Sequence, residues 1–431
     1  MSDHARLNTS ARLRCLAKPL FVAAQSRDRF LLFALFLFLT ILRMPNVVFQ
    51  GRFWAEEGKV FYVHAATMSW LHAIFNSYAG YMNLGANLAA VVARHLVTLE
   101  YAPRVTLFFA LLAQLCPAVL LLTSNAAWLR SRVSLAASLL LLVAAPSAEE
   151  VWLNTLHSQF HLALCVALIL ALDIEPGIRE LFRRFLLFLA PLYGLVAIVV
   201  LPLFVLRTII NRSRARLIQT LVLMSGSAIQ MLFFYHVVNG RQTLDIKLIL
   251  ATFFAKNIVL PFLSFGMSGP IDSWLHAALD QGHLPVSVVI VILVSMFALF
   301  ALMRRTQAAC WWLSSACVTI ALVSYYGVWL GSSSQVEPHL YGRYAFVPQV
   351  LFAWTLIMIA SSGPWPRNRI ALIFVVWLTL ASMNAYFVPD VSFKKGPNWH
   401  EEVAKWRNDH TYSPLVWPGG KWNVPMPLLS D

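Results

Sequence analysis

The sequence predicts an all-α, polytopic transmembrane helical bundle. Long apolar blocks, a deficit of charge, and basic residues confined to the gaps between blocks carry that expectation. The chain has 431 residues, 59% hydrophobic and 12% charged, with a mean hydropathy of +0.68. Soluble chains carry about 25% charged residues, so roughly half the usual charge is missing. Phe30–Leu42, Thr106–Thr123, Val286–Met303, Trp312–Leu330 and Ile370–Ala381 are nearly free of charge. Such runs approach or reach the roughly 20 residues that a spanning helix needs. Lipid offers the backbone no hydrogen bonds, so only helices or a closed barrel can cross it. Period-two alternation is absent, which leaves helices.

The net charge of +14 could suggest a nucleic-acid partner. Its distribution argues against one, because the basic residues punctuate the apolar blocks and form no single stripe. The five cysteines fall in spans or near the N-terminus, where no disulfide framework is expected.

Residues 1–29 form a basic arm with Arg6, Arg12, Arg14, Lys18, Arg27 and Arg29 ahead of the first apolar block. No A-x-A cleavage site follows it, so the arm reads as an uncleaved anchor with a cytoplasmic N-terminus. The first span, Phe30–Val48, then opens into an outer loop at 49–102. The moderately apolar segment Leu84–Leu99 carries Arg94 and His95 and sets the topology downstream. If it crosses, Arg130 and Arg132 face outward. If it lies in the plane of the outer surface, Arg130/Arg132, Arg179/Arg183/Arg184, Arg207/Arg212/Arg214/Arg216, Arg304/Arg305 and Arg367/Arg369 are all cytoplasmic. The positive-inside rule selects the in-plane reading.

Phe185–Leu206 is one span long yet flanked by arginines on both sides, with Pro191, Gly194 and Pro202 inside. It reads as two short helices that dip in and return, giving about 11 passes in all, two of them short. The other outer segments are Pro146–His157, Asn239–Leu284 with an in-plane candidate at Ala251–Phe265, Gly331–Gly342, and a Trp-rich tail at 389–431. Residues 30–388 form the transmembrane domain.

Three outer motifs can carry chemistry. Arg52 to Lys59 holds Glu56 and Glu57, adjacent carboxylates able to bind a metal or to act as a general base. The plainer reading is a solvated charged turn. Pro146 to Asn154 holds Glu149 and Glu150 at the same face, followed by His157 and His161 at helical spacing; packing is the plainer role for those histidines. Glu337 to Tyr344 holds His339 and Arg343, and an arginine at this depth can grip phosphate bidentately or simply anchor at the interface. In the tail, Trp399, Val403 and Trp406 share one helical face, which suits docking at the membrane interface.

Together these stretches resemble the GT-C superfamily of membrane glycosyltransferases. The resemblance covers most of the chain in architecture and four short stretches in motif. Glu56/Glu57 match the position of the family's first acidic motif and Glu149/Glu150 the second. Tyr78 to Leu84, including Tyr81, with Leu84–Leu99 looks like the family's in-plane helices. Arg343 loosely matches a donor-phosphate arginine. Two departures stand out: Glu-Glu replaces the usual aspartate, and the large soluble C-terminal domain of many members is absent.

The resemblance implies transfer of a sugar from a polyprenyl-phosphate donor to a glycolipid or glycan acceptor, on the outer face of a bacterial inner membrane. Glu57 is favoured as base, with Glu56 next. Arg343, Glu149, Glu150, His339, Tyr81 and Arg52 would bind substrate, and a divalent metal on Glu56, Glu57, Glu149 or Glu150 stays open. The C-terminus would be periplasmic or extracellular. An O-antigen ligase or polymerase and a flippase for lipid-linked glycans are the competing expectations.

Overall fold

A computed structural model describes residues 23–234, 244–327, 332–387, 395–420 and 422–425. The arm residues Arg6, Arg12, Arg14, Cys15 and Lys18 and the ends of the tail lie outside the described residues. The structure is all-helical, 76% helix, apart from a hairpin pairing Ser77–Tyr78 with Tyr81–Met82. Its turn places Ala79 and Gly80 at positive φ, which the glycine accepts without strain.

The longer helices are α1 (Ser26–Arg43), α2 (Leu84–Leu96), α3 (Ala102–Thr123), α4 (Arg132–Val143), α5 (Ser158–Ala171), α6 (Ile178–Tyr193), α7 (Leu201–Asn211) and α8 (Arg214–Phe234). After them come α9 (Ile246–Phe253), α10 (Leu260–Asp280), α11 (Val286–Met303), α12 (Ala308–Tyr326), α13 (Gly342–Ser362), α14 (Arg367–Phe387) and α15 (Trp399–Asn408). Among the described residues, seven helices are long and apolar enough to cross a membrane, and they mark a membrane-embedded protein.

Helix α5 is buried along its whole length and α13 along most of its own, so these two form the centre. A helix that is apolar all round belongs there. Peripheral α11 instead exposes Val286, Ile290, Leu293, Phe297 and Phe300, an apolar face suited to lipid. The first span ends earlier than expected, because Pro45 pushes Met44 out of the helical region and closes α1 at Arg43.

Polar side chains sort the bundle into two ends. At one, Arg29 donates to the carbonyls of Leu122 and Ser124, Arg183 to Asp173, Arg207 and Arg216 to Leu172, and Arg367 to Arg304. The arginines that bracket α6 and α7 therefore converge on the same end. Between these helices the chain breaks at Gly194. Helix α8 packs Gly226 against Phe188 of α6, and its Thr220 donates to the Phe204 carbonyl of α7 at 3.3 Å. The dip and return read from the prolines is thus present as two separate helices.

The opposite end holds the acidic motifs. Helix α2 begins there, with Asn83 Nδ2 donating to Leu156 at 3.2 Å, and the chain just past it is there too, with Trp399 Nε1 donating to Leu99 at 2.8 Å.

The in-plane helix placed at Ala251–Phe265 needs correction. Helical structure runs from Ile246 to Asp280 and folds back at Ser264, whose φ of 57° and ψ of −176° break the helix. Lys247 Nζ reaches the carbonyl of Gly282 at 2.7 Å, so both mouths of this hairpin sit together. Ala251, Phe254 and Ala255 pack with Leu275 across it.

Candidate functional site

The acidic end is built by three loops clamped on one another. Helix α3 contributes Gln114, whose Nε2 donates to the carbonyls of Val151 and Asn154 (3.1 Å each) and whose Oε1 accepts from Leu153 N at 3.0 Å. That brace holds Leu153 at a φ of 58°, a costly conformation for a leucine. It also presents Thr155 to the first loop. Glu57 accepts there from Thr155 N (2.6 Å), Thr155 Oγ1 (2.5 Å) and Trp54 N (2.8 Å). Its carboxylate is buried and its proton affinity is raised by that burial, against which the three donors and Arg52 work. Glu57 is a staple between loops.

Arg52 is buried as well, with its guanidinium 4.8 Å from the Trp54 ring and 5.1 Å from the Trp417 ring. It donates to the Trp152 carbonyl at 3.1 Å, and burial lowers its pKa to about 10. Glu149 pairs with Arg43 at 3.0 Å, both side chains at most 3% exposed. Arg52 and Glu149, expected to touch substrate, therefore hold the scaffold instead. His339 stacks on Phe265 of α10 with ring centroids 4.4 Å apart.

The remaining residues converge. Glu150 accepts a short hydrogen bond from Arg343, which also lies 4.9 Å from the Tyr344 ring. Glu56 is only partly buried. Burial raises its proton affinity, Arg343 and Lys59 oppose the rise, and Glu150 adds to it. Tyr81 feels Tyr344, Glu56 and Arg343, and its hydroxyl lies 3.5 Å from Gln159 Nε2. Glu56, Glu150, Arg343, Tyr81 and Tyr344 thus share one electrostatic neighbourhood. Gly342 makes this approach feasible, since a Cβ there would sit 1.9 Å from the Ser147 carbonyl oxygen.

The two histidines differ: His157 lies beside Glu150, with Nε2 3.8 Å from Oε1, and His161 packs among aromatic rings. His157 Nδ1 bonds the Glu150 carbonyl at 2.8 Å and burial lowers its pKa to about 4, so the ring is neutral. His161 is enclosed by Trp152 and Phe346, with centroids at 4.5 and 4.9 Å. No group of three or more His, Cys, Asp or Glu able to hold a metal occurs among the described residues.

The tail docks on the first loop. Trp417 N donates to Phe53 O (3.1 Å), and Ala55 N donates to Trp417 O (2.6 Å). Trp399, Val403 and Trp406 pack on Phe53, Tyr62, Ala93 and Ala102. The helical face expected to dock at the membrane interface is buried in protein. Replacing Trp417 with alanine is expected to release this segment, with limited proteolysis cutting within 395–425 in the variant and sparing the parent.

Sequence reasoning missed Gln114, Thr155 and Arg43. Only Arg43 left a signal: an arginine at the outer end of the first span runs against the charge rule that orders the other loops.

No family model, curated protein or solved structure matches the chain. Its own residues define the class: an all-helical, membrane-embedded protein with a carboxylate–arginine site at the end opposite most of its arginine clusters.

Proposed function

We propose that the chain is a GT-C-type membrane glycosyltransferase that moves a sugar from a polyprenyl-phosphate donor to a lipid-linked or surface glycan acceptor. The observation that carries this reading is Glu56, a partly exposed carboxylate of raised proton affinity beside the Arg343–Glu150 pair. Glu56, rather than Glu57, takes the role of base, because Glu57 already accepts three hydrogen bonds. The acceptor hydroxyl gives its proton to Glu56 while its oxygen bonds the anomeric carbon. The bond from that carbon to the phosphate oxygen breaks, and the polyprenyl phosphate leaves with the electron pair. Arg343 balances the leaving charge, and a single displacement inverts the anomeric centre.

The arginine end lies in the cytoplasm under the positive-inside rule. Helices α1, α3 to α8 and α11 to α14 then each cross once, which puts the site and the tail outside.

Mass spectrometry of lipid-linked glycans, with and without the gene, tests the reading. Loss of the gene is expected to leave a polyprenyl-phosphate sugar unconsumed. An unchanged lipid profile would overturn transfer.

One observation favours transport as a second reading: the folded-back pair α9–α10 carries the buried ionisable side chains Lys256 and Asp272, a pattern that transporters use near the midplane. Vesicles holding the pure protein would then move a lipid-linked glycan between leaflets with no change in its mass.

A further inference from the structure

The α9–α10 hairpin holds a residue that the transfer scheme does not use. Lys256 is 1% exposed and lies in a π-helical turn, Phe254–Val259, that joins α9 to α10. Such turns widen the helix by one residue and leave backbone groups to bond elsewhere. Here the Lys256 carbonyl accepts from Gln349 Nε2 of α13 at 2.8 Å. Its ammonium donates to the carbonyl of Glu337, and to that of Leu340 at 2.8 Å. One residue therefore grips α13 at two points, the turn that precedes it and the helix itself two turns on. Asp272, 4% exposed on the returning limb, supplies the facing negative charge.

What this grip positions is Arg343. The 337–340 turn ends in Tyr341 at a φ of 56°, then Gly342 against Ser147, then Arg343 on Glu150. Ser147 Oγ adds a hydrogen bond to the Pro338 carbonyl at 2.7 Å. The turn is thus held on one side by the second acidic loop and on the other by Lys256. A buried nitrogen that donates to two carbonyls tolerates little displacement, because each acceptor left without a partner costs its desolvation. Without it the carbonyls of Glu337 and Leu340 lose their shared partner.

We infer that Lys256 is a positioning residue for Arg343, acting through the 337–340 turn. The inference rests on the reading of Arg343 as the phosphate contact, and the test separates the two. The full chain is placed in phosphatidylcholine nanodiscs, and undecaprenyl phosphate is the probe. Lys256→Met is expected to weaken binding by about tenfold or more, as a misplaced binding group does. Lys256→Arg is expected to restore most of it. Lys247→Met, which removes the hydrogen bond at the hairpin's mouth, is expected to bind as the parent does.

A spin label on His339→Cys reads the turn itself. It is expected to be immobile with Lys256 or Lys256→Arg and mobilised with Lys256→Met. An immobile label in Lys256→Met would overturn the inference, as would equal weakening by Lys247→Met. Binding that survives Arg343→Gln would overturn the phosphate reading alone, since the label still reports the hold on the turn. If Lys256→Met does not fold, Lys256→Gln, which keeps a neutral donor, is expected to give partial mobilisation and intermediate binding. A parent-like result there would also count against the inference.

Discussion

Glu56→Gln is expected to lower sugar transfer by about 10² to 10⁴-fold, the range over which a general base contributes. The folded state should be unchanged, because a partly exposed amide replaces a carboxylate that no loop depends on. Glu57→Gln should behave in the opposite way. It places an amide where Trp54 N, Thr155 N and Thr155 Oγ1 all donate, so its main effect falls on thermal stability.

The pH profile makes the assignment sharper. Burial raises the pKa of Glu56 above the usual 4.5. A base must be deprotonated to act, so kcat/KM should climb as pH rises through that raised value. The limb should vanish from the residual activity of Glu56→Gln. A profile with the same limb in both proteins would assign the base elsewhere.

The second large effect concerns the Arg43–Glu149 pair, enclosed at the junction of α1, α4 and the second acidic loop. Removing one member of a buried pair leaves the other charge without compensation and costs about 3–5 kcal/mol. Arg43→Met should therefore unfold at a clearly lower temperature in detergent. Arg43→Met/Glu149→Leu should recover most of the loss, since apolar replacement of a whole buried pair is often neutral. Recovery of both stability and transfer would mark the pair as a structural strut, because deleting a second substrate-binding group cannot restore transfer.

Much of this architecture was legible because lipid leaves the chain few choices. Apolar blocks became helices, and the arginines around Pro191 and Pro202 implied a return that α6 and α7 display. The site was legible to the level of the doublet. Glu56/Glu57 and Glu149/Glu150 each divide into one carboxylate turned into the protein and one left at its surface. Successive residues in a helical turn point about 100° apart, so composition could not say which was which. The partners that decide it are single polar residues in apolar surroundings, Thr155 for Glu57 and Arg43 for Glu149. The α9–α10 hairpin escaped for a related reason. Its break falls on Ser264 itself, a residue that does not announce a break, while the nearby Pro261 and Gly266 lie inside helical structure.

The docking of Trp399 on Leu99 joins residues 300 positions apart, and Trp417 reaches still further back to Phe53. The loop that bears Glu56 leaves the ribosome well before the segment that docks beside it. During synthesis that loop waits without this partner until α2 to α14 have been made. A nascent chain halted before residue 395 should therefore carry the carboxylates without the docked tail, so the order of translation sets when this packing can form.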